Sequence, residues 1–156
     1  MKLLKNITLI LITLVLAQMV ALANPNDESA LIKNIETAYQ KNNAELLVSL
    51  TLWEGVSVEE KQTAIKKYER EVALNMTRIE FKDAEPKYWK NWKKGDVEFT
   101  YNLPVTKEIV VHLEEGSKIK LSFGVVPVKD IKIPVGKKAG KWYLLKSVEV
   151  KNKEQP

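Results

Sequence analysis

His112 is the chain's only histidine, and the chain has no cysteine. An imidazole works as a general base when its pKa is tuned and a substrate stands within hydrogen-bond reach. A zinc ion needs three or four ligands, so no metal site is expected here, and no cofactor. The missing cysteines also exclude a CxxC redox pair, a cysteine nucleophile, a zinc ribbon and a c-type haem. His112 alternates out of phase with Ile109, Val111 and Leu113. It therefore belongs on the opposite face of a strand from those three, where an ordinary surface histidine is the competing reading. Tyr39 and Tyr101 fall on apolar stripes and could present a phenol to a cavity. They could equally be core rings with a bonded hydroxyl. No carboxylate falls clearly in a core phase; Asp83 and Asp130 sit at strand ends or loops. The chain carries no glycine-rich phosphate loop, no GxSxG elbow and no HExxH helix.

The stretch KYWKNWKKGD, residues 87–96, interleaves Tyr88, Trp89 and Trp92 with four lysines. Rings among cations can stack on sugars or meet anionic lipid. The same rings can fold inward and close one end of a core, because large aromatics dominate small cores. Removing Lys2 and Lys5 with a leader (below) leaves 23 basic against 20 acidic residues. A net charge of about +3, spread along the chain, lacks the concentrated basic face of a nucleic-acid binder. No nucleic-acid partner is expected.

The chain opens MKLLKNITLILITLVLAQMVALANPND. Lys2 and Lys5 precede an almost wholly apolar run from Ile7 to Leu16, and Ala21-Leu22-Ala23 places small residues at a cleavage site. This is the layout of a secretory signal peptide. The expectation is a signal peptide over 1–23, a single α+β domain over 24–150 and a polar tail over 151–156. The protein would then be periplasmic or secreted after cleavage near Ala23, with no stable membrane anchor. A retained anchor is the rival reading, but Gln18 falls near the end of a run that must reach about 20 apolar residues to span a bilayer. Without cysteine the domain carries neither a disulfide nor a cysteine-linked lipid, and it relies on its core alone.

The elements that would position these residues follow from periodicity. Asp27 caps a helix running to about Asn42 with Leu31, Ile35, Ala38 and Tyr39 on one stripe. A short helix covers Ala44 to Leu50. Ser57-Val58-Glu59-Glu60 is a capping box and opens a third helix to about Asn75. Val58, Ile65, Tyr68 and Val72 form its stripe, and Glu71 lies on the solvated side. Beyond Asn75 the period changes to two over 77–82, 97–103, 109–114, 118–123, 126–135 and 141–150. Glu115-Gly116-Ser117 reads as a hairpin turn, as do Gly95-Asp96 and 136–140. Trp142 and Tyr143 point to opposite faces.

Helices followed by mainly antiparallel strands predict an α+β fold, in which N-terminal helices pack on a curved sheet of five to six strands. ALIKNIETAYQKNNAELLVSL (30–50) and KDIKIPVGKKAGKWYLL (129–145) resemble the first two helices and the last hairpin of the nuclear transport factor 2-like, or SnoaL-like, superfamily. The resemblance implies a cone-like domain whose enzymes place an Asp, His or Tyr inside the cone. It brings no identifiable catalytic motif onto this chain. The expected function is non-catalytic binding of a small ligand or an envelope protein, with Tyr39, Tyr101, Trp89, Trp92 and His112 as candidate binding residues. Two alternatives stand: an isomerase, dehydratase or hydrolase using a pocket in the cone, and a glycan- or membrane-surface binder using Tyr88–Lys94. A dimer of the chain is compatible with each.

Overall fold

In the computed structural model, residues 26–150 are described; the expected leader and the polar tail lie outside the described residues. Helix α1 (Glu28–Gln40) begins where Asp27 Oδ1 accepts from the Ala30 amide at 2.7 Å. It buries Leu31, Ile35, Ala38 and Tyr39, the expected stripe. Asn42, at φ 50, turns the chain, and Asn43 caps α2 (Ala44–Leu50). The capping box at Ser57 and Glu60 starts α3 (Val58–Val72). Two corrections fall on α3. It ends at Val72, and its buried stripe is Ala64, Tyr68, Glu71 and Val72. Val58 stands in the first turn, ahead of the region that meets the other helices, and is 76% exposed.

The strands form three sheets where a single sheet of five to six strands was expected. β1 (Met76–Asp83), β4 (Lys107–Leu113), β7 (Asp130–Lys138) and β8 (Lys141–Leu144) make the largest, in the order β1-β4-β7-β8, all antiparallel. β2 (Trp92–Lys94), β3 (Val97–Tyr101) and β9 (Ser147–Glu149) make the second, in the order β2-β3-β9. β5 (Lys118–Leu121) and β6 (Gly124–Pro127) pair only with each other. Helices on a mostly antiparallel set of strands make the fold α+β. One face of the largest sheet, with Ile109, Val111, Ile131, Ile133, Val135, Trp142 and Leu144, packs against the helices. Thr51, just after α2, adds a parallel bridge to Leu144.

Glu115-Gly116-Ser117 does not reverse the chain. The Cα partners run His112↔Asp130 below it and Lys118↔Pro127 above it. β4 and β5 thus continue in one direction, and β6 and β7 return beside them. The segment is a large bulge in one long two-stranded ribbon, tightened where the Ser117 amide meets Glu114 O at 3.1 Å. An extra loop of residues on one strand kinks and twists a ribbon without ending it. The expected strand 126–135 is accordingly split between β6 and β7. The ribbon reverses at Ser122-Phe123, between the partners Leu121 and Gly124. Likewise Gly136, Lys137 and Lys138 are strand, and the turn is Ala139-Gly140 alone, with φ 48 and 80. Two positive φ values are what a two-residue type I′ hairpin requires.

Candidate functional site

The last expected strand, 141–150, is two strands. β8 belongs to the largest sheet and β9 to the second, and the chain crosses between them at Leu145-Lys146. Asn102 holds the crossing. Its Oδ1 accepts from the Lys146 amide at 3.2 Å, its own amide donates to Lys146 O at 3.0 Å, and its Nδ2 donates to Leu52 O at 2.8 Å. The Lys146 side chain is thereby directed toward α3. Its ammonium lies 4.3 Å from the centre of the Tyr68 ring.

A cavity of about 300 Å³ opens between α3 and this crossing. Glu60, Thr63, Ala64 and Lys67 line one wall, a single stripe of α3 at spacings of three and four residues. Lys146 and Ser147 form the other wall, and Val56 contributes apolar surface. Behind the wall lies a buried polar group. Tyr68 Oη is 2.9 Å from Thr51 Oγ1, which also donates to Leu47 O at 2.7 Å. Glu71 is 3% exposed, and its Oε1 lies 3.5 Å from Lys67 Nζ. Tyr39 Oη is buried with no hydrogen-bond partner among the described residues.

Burial shifts four titrating groups here, Lys146, Glu71, Tyr39 and Tyr68. The Lys146 amine is pushed down to about 8, mainly by burial and then by the charge of Lys67, against the pull of Glu71. Burial holds the Glu71 carboxyl above the usual carboxylate range, opposed by Lys67 and Lys146. Burial, with the Glu71 charge, raises Tyr39 and Tyr68. Among the described residues no carboxylate comes within ion-pair distance of Lys146 Nζ; the contact it makes is with the Tyr68 ring. Lys146 and Lys67 thus face the open space side by side, with Glu71 behind them and Glu59 and Glu60 on the cavity rim.

The residues singled out from the sequence are distributed elsewhere. Trp89 and Tyr101 meet edge to face at 5.7 Å and border a separate open cavity of about 390 Å³ with Asn91 and Thr100. Trp89 Nε1 donates to Glu108 Oε2 at 2.7 Å. Glu108 is wholly buried on the sheet face away from the helices, 3.2 Å from Lys82 Nζ. Two carboxylates, Glu71 and Glu108, are therefore buried where none was expected. β4 is covered on both faces, because the segment after β1 folds across the second one. Trp92 stacks on its cross-strand partner Phe99 at 4.3 Å and does not join Trp89. Tyr39 is in the helical core. His112, on the second face, holds Asp130 Oδ1 at 2.7 Å through Nδ1, with Glu80 Oε2 3.4 Å from Nε2. Trp142 joins the core, as the alternation required of one member of its pair.

Lys146 and Glu71 were missed, yet each had a signal. Lys146 continues the phase of Trp142 and Leu144, a lysine where a core residue is due. Glu71 stands three residues after Tyr68 and seven after Ala64, on their stripe. No family model, curated protein or solved structure matches this chain.

Proposed function

We propose that this is an exported, non-catalytic domain that binds a small organic anion in the cavity between α3 and Lys146. The observation that carries the reading is the Lys146 ammonium, half-buried at the cavity wall, with no carboxylate among the described residues within ion-pair distance. Keeping a charge partly out of water without a counter-charge in direct contact is costly, and a bound carboxylate or phosphate offsets that cost. Lys67 stands beside it on the same cavity. Thr63 supplies a hydroxyl, and Val56 and Ala64 supply apolar contact for a carbon skeleton. Glu59 and Glu60 also border the cavity and disfavour a polyanion. The order of three helices, then antiparallel strands that include the β7–β8 hairpin, supports kinship with the nuclear transport factor 2-like superfamily as part of this proposal.

An NMR titration with phenyl phosphate tests the reading. The amides of Thr63, Ala64, Lys67 and Lys146 are expected to shift together. Affinity should fall at least tenfold in Lys146→Met, and it should weaken as pH rises through about 8, where the amine loses its charge. Shifts confined to other surfaces, or equal affinity in the variant, would overturn it.

A further inference from the structure

The ribbon β5–β6 leaves the largest sheet at the bulge and hydrogen-bonds to no other strand. An isolated two-stranded hairpin is marginal in water, so such a projection is poor material for a purely structural role. Its tip carries the most exposed large hydrophobic side chain of the described residues, Phe123 at 80%, with Val125 at 60%. Ile119, Leu121 and Val126 behind the tip are only half-buried. Lys120 is the cross-strand partner of Val125, Lys118 lies one step further back opposite Pro127, and both lysines are exposed. From Gly116 to Val128 there is no acidic residue. The nearest acids in sequence, Asp130, Glu115 and Glu114, stand at the bulge. Four strand residues, about 13 Å of ribbon, separate it from the tip. That puts the tip itself, though not Lys118 beside the bulge, beyond the ~8–10 Å over which exposed charges act in physiological salt.

We propose that this ribbon docks tip-first on an anionic lipid bilayer, with Phe123 and Val125 entering the headgroup layer and Lys118 and Lys120 meeting the anionic headgroups. An aromatic and a branched apolar residue with flanking lysines match an interface that is greasy beneath and negative at its surface. Charge also argues against a second copy of the chain. Two such tips set face to face would bring together four lysines and no carboxylate. The proposed contact is confined to the tip of the ribbon; no helix among the described residues is long and apolar enough to cross a membrane.

The absence of cysteine permits a test that reads the tip alone. Ser122→Cys in the full chain is labelled with a polarity-sensitive nitrobenzoxadiazole dye, leaving Phe123 and Val125 in place. The dye is expected to brighten and shift to the blue with vesicles of equimolar phosphatidylcholine and phosphatidylglycerol, and not with phosphatidylcholine alone. Added salt should weaken the response. Phe123→Ser with Val125→Ser should reduce apparent affinity at least tenfold; both side chains are exposed, so the fold is not at stake. No response to either vesicle overturns the proposal, as does a response that survives the double substitution. A concentration-dependent shift without vesicles assigns the tip to a second copy instead.

Discussion

At the scale of single residues, Lys146 has a measurable signature in stability. Its amine titrates near 8 in the folded protein, against about 10.4 in an unfolded chain. Between those values the unfolded state holds the proton and the native state does not, so stability rises with pH by at most ~1.4 kcal/mol per unit. Urea unfolding from pH 8 to pH 10 should show this rise, and Lys146→Met should flatten it. Glu71 acts with the opposite sign at lower pH. Its raised carboxyl makes folding less favourable as pH climbs above about 4.3. Residues of this kind are hard to read from sequence because long charged side chains usually reach water. The phase of Lys146 along its strand and of Glu71 along its helix was visible. What decided the matter was the chain's crossing between two sheets, which no local pattern encodes. Trp89 illustrates the same limit: inward folding was one of two open readings, but its bond to Glu108 spans nineteen residues.

At the scale of elements, helices were the most legible. Asp27, Asn43 and Ser57 are caps that announce their helices through side-chain chemistry alone. Strand phases were also legible, and Ile109, Val111 and Leu113 face the core as the alternation required. Turn identity was less so, because Glu115-Gly116-Ser117 has the composition of a reversal and acts as a bulge. Whether such a segment reverses the chain depends on which strand waits beside it. The Ala139-Gly140 turn offers a direct check. Alanine at φ 48 is strained by about 1 kcal/mol, since its Cβ crowds the following carbonyl. Ala139→Asn should stabilise the protein by roughly 0.5–1 kcal/mol, because asparagine tolerates that conformation. A thermal melt of the variant gives the sign at once.

At the scale of the whole molecule, Asn102 joins three distant segments: its own loop after β3, the Leu52–Glu54 link and the β8–β9 crossing. Asn102→Ala should cost about 1 kcal/mol, because it leaves half-buried backbone groups unpaired. It should also weaken phenyl phosphate binding, since Lys146 loses its fixed backbone. Asn102→Asp should not restore either property, as a carboxylate accepts hydrogen bonds but cannot donate to Leu52 O. The large sheet and the helices were foreseeable as layers. The second sheet was not, because β3 finds its partner β9 nearly fifty residues later.

That late pairing has a consequence for how the molecule is made. Helices α1 to α3 depend on local contacts and can form while synthesis continues. β3 has only its short neighbour β2 until residues 147–149 emerge, so the second sheet and the wall carrying Lys146 are completed last. A nascent chain stopped at Leu145 would own the three described helices and the four strands of the large sheet, yet not this cavity. It would expose one edge of β3 for as long as translation takes to supply the missing strand.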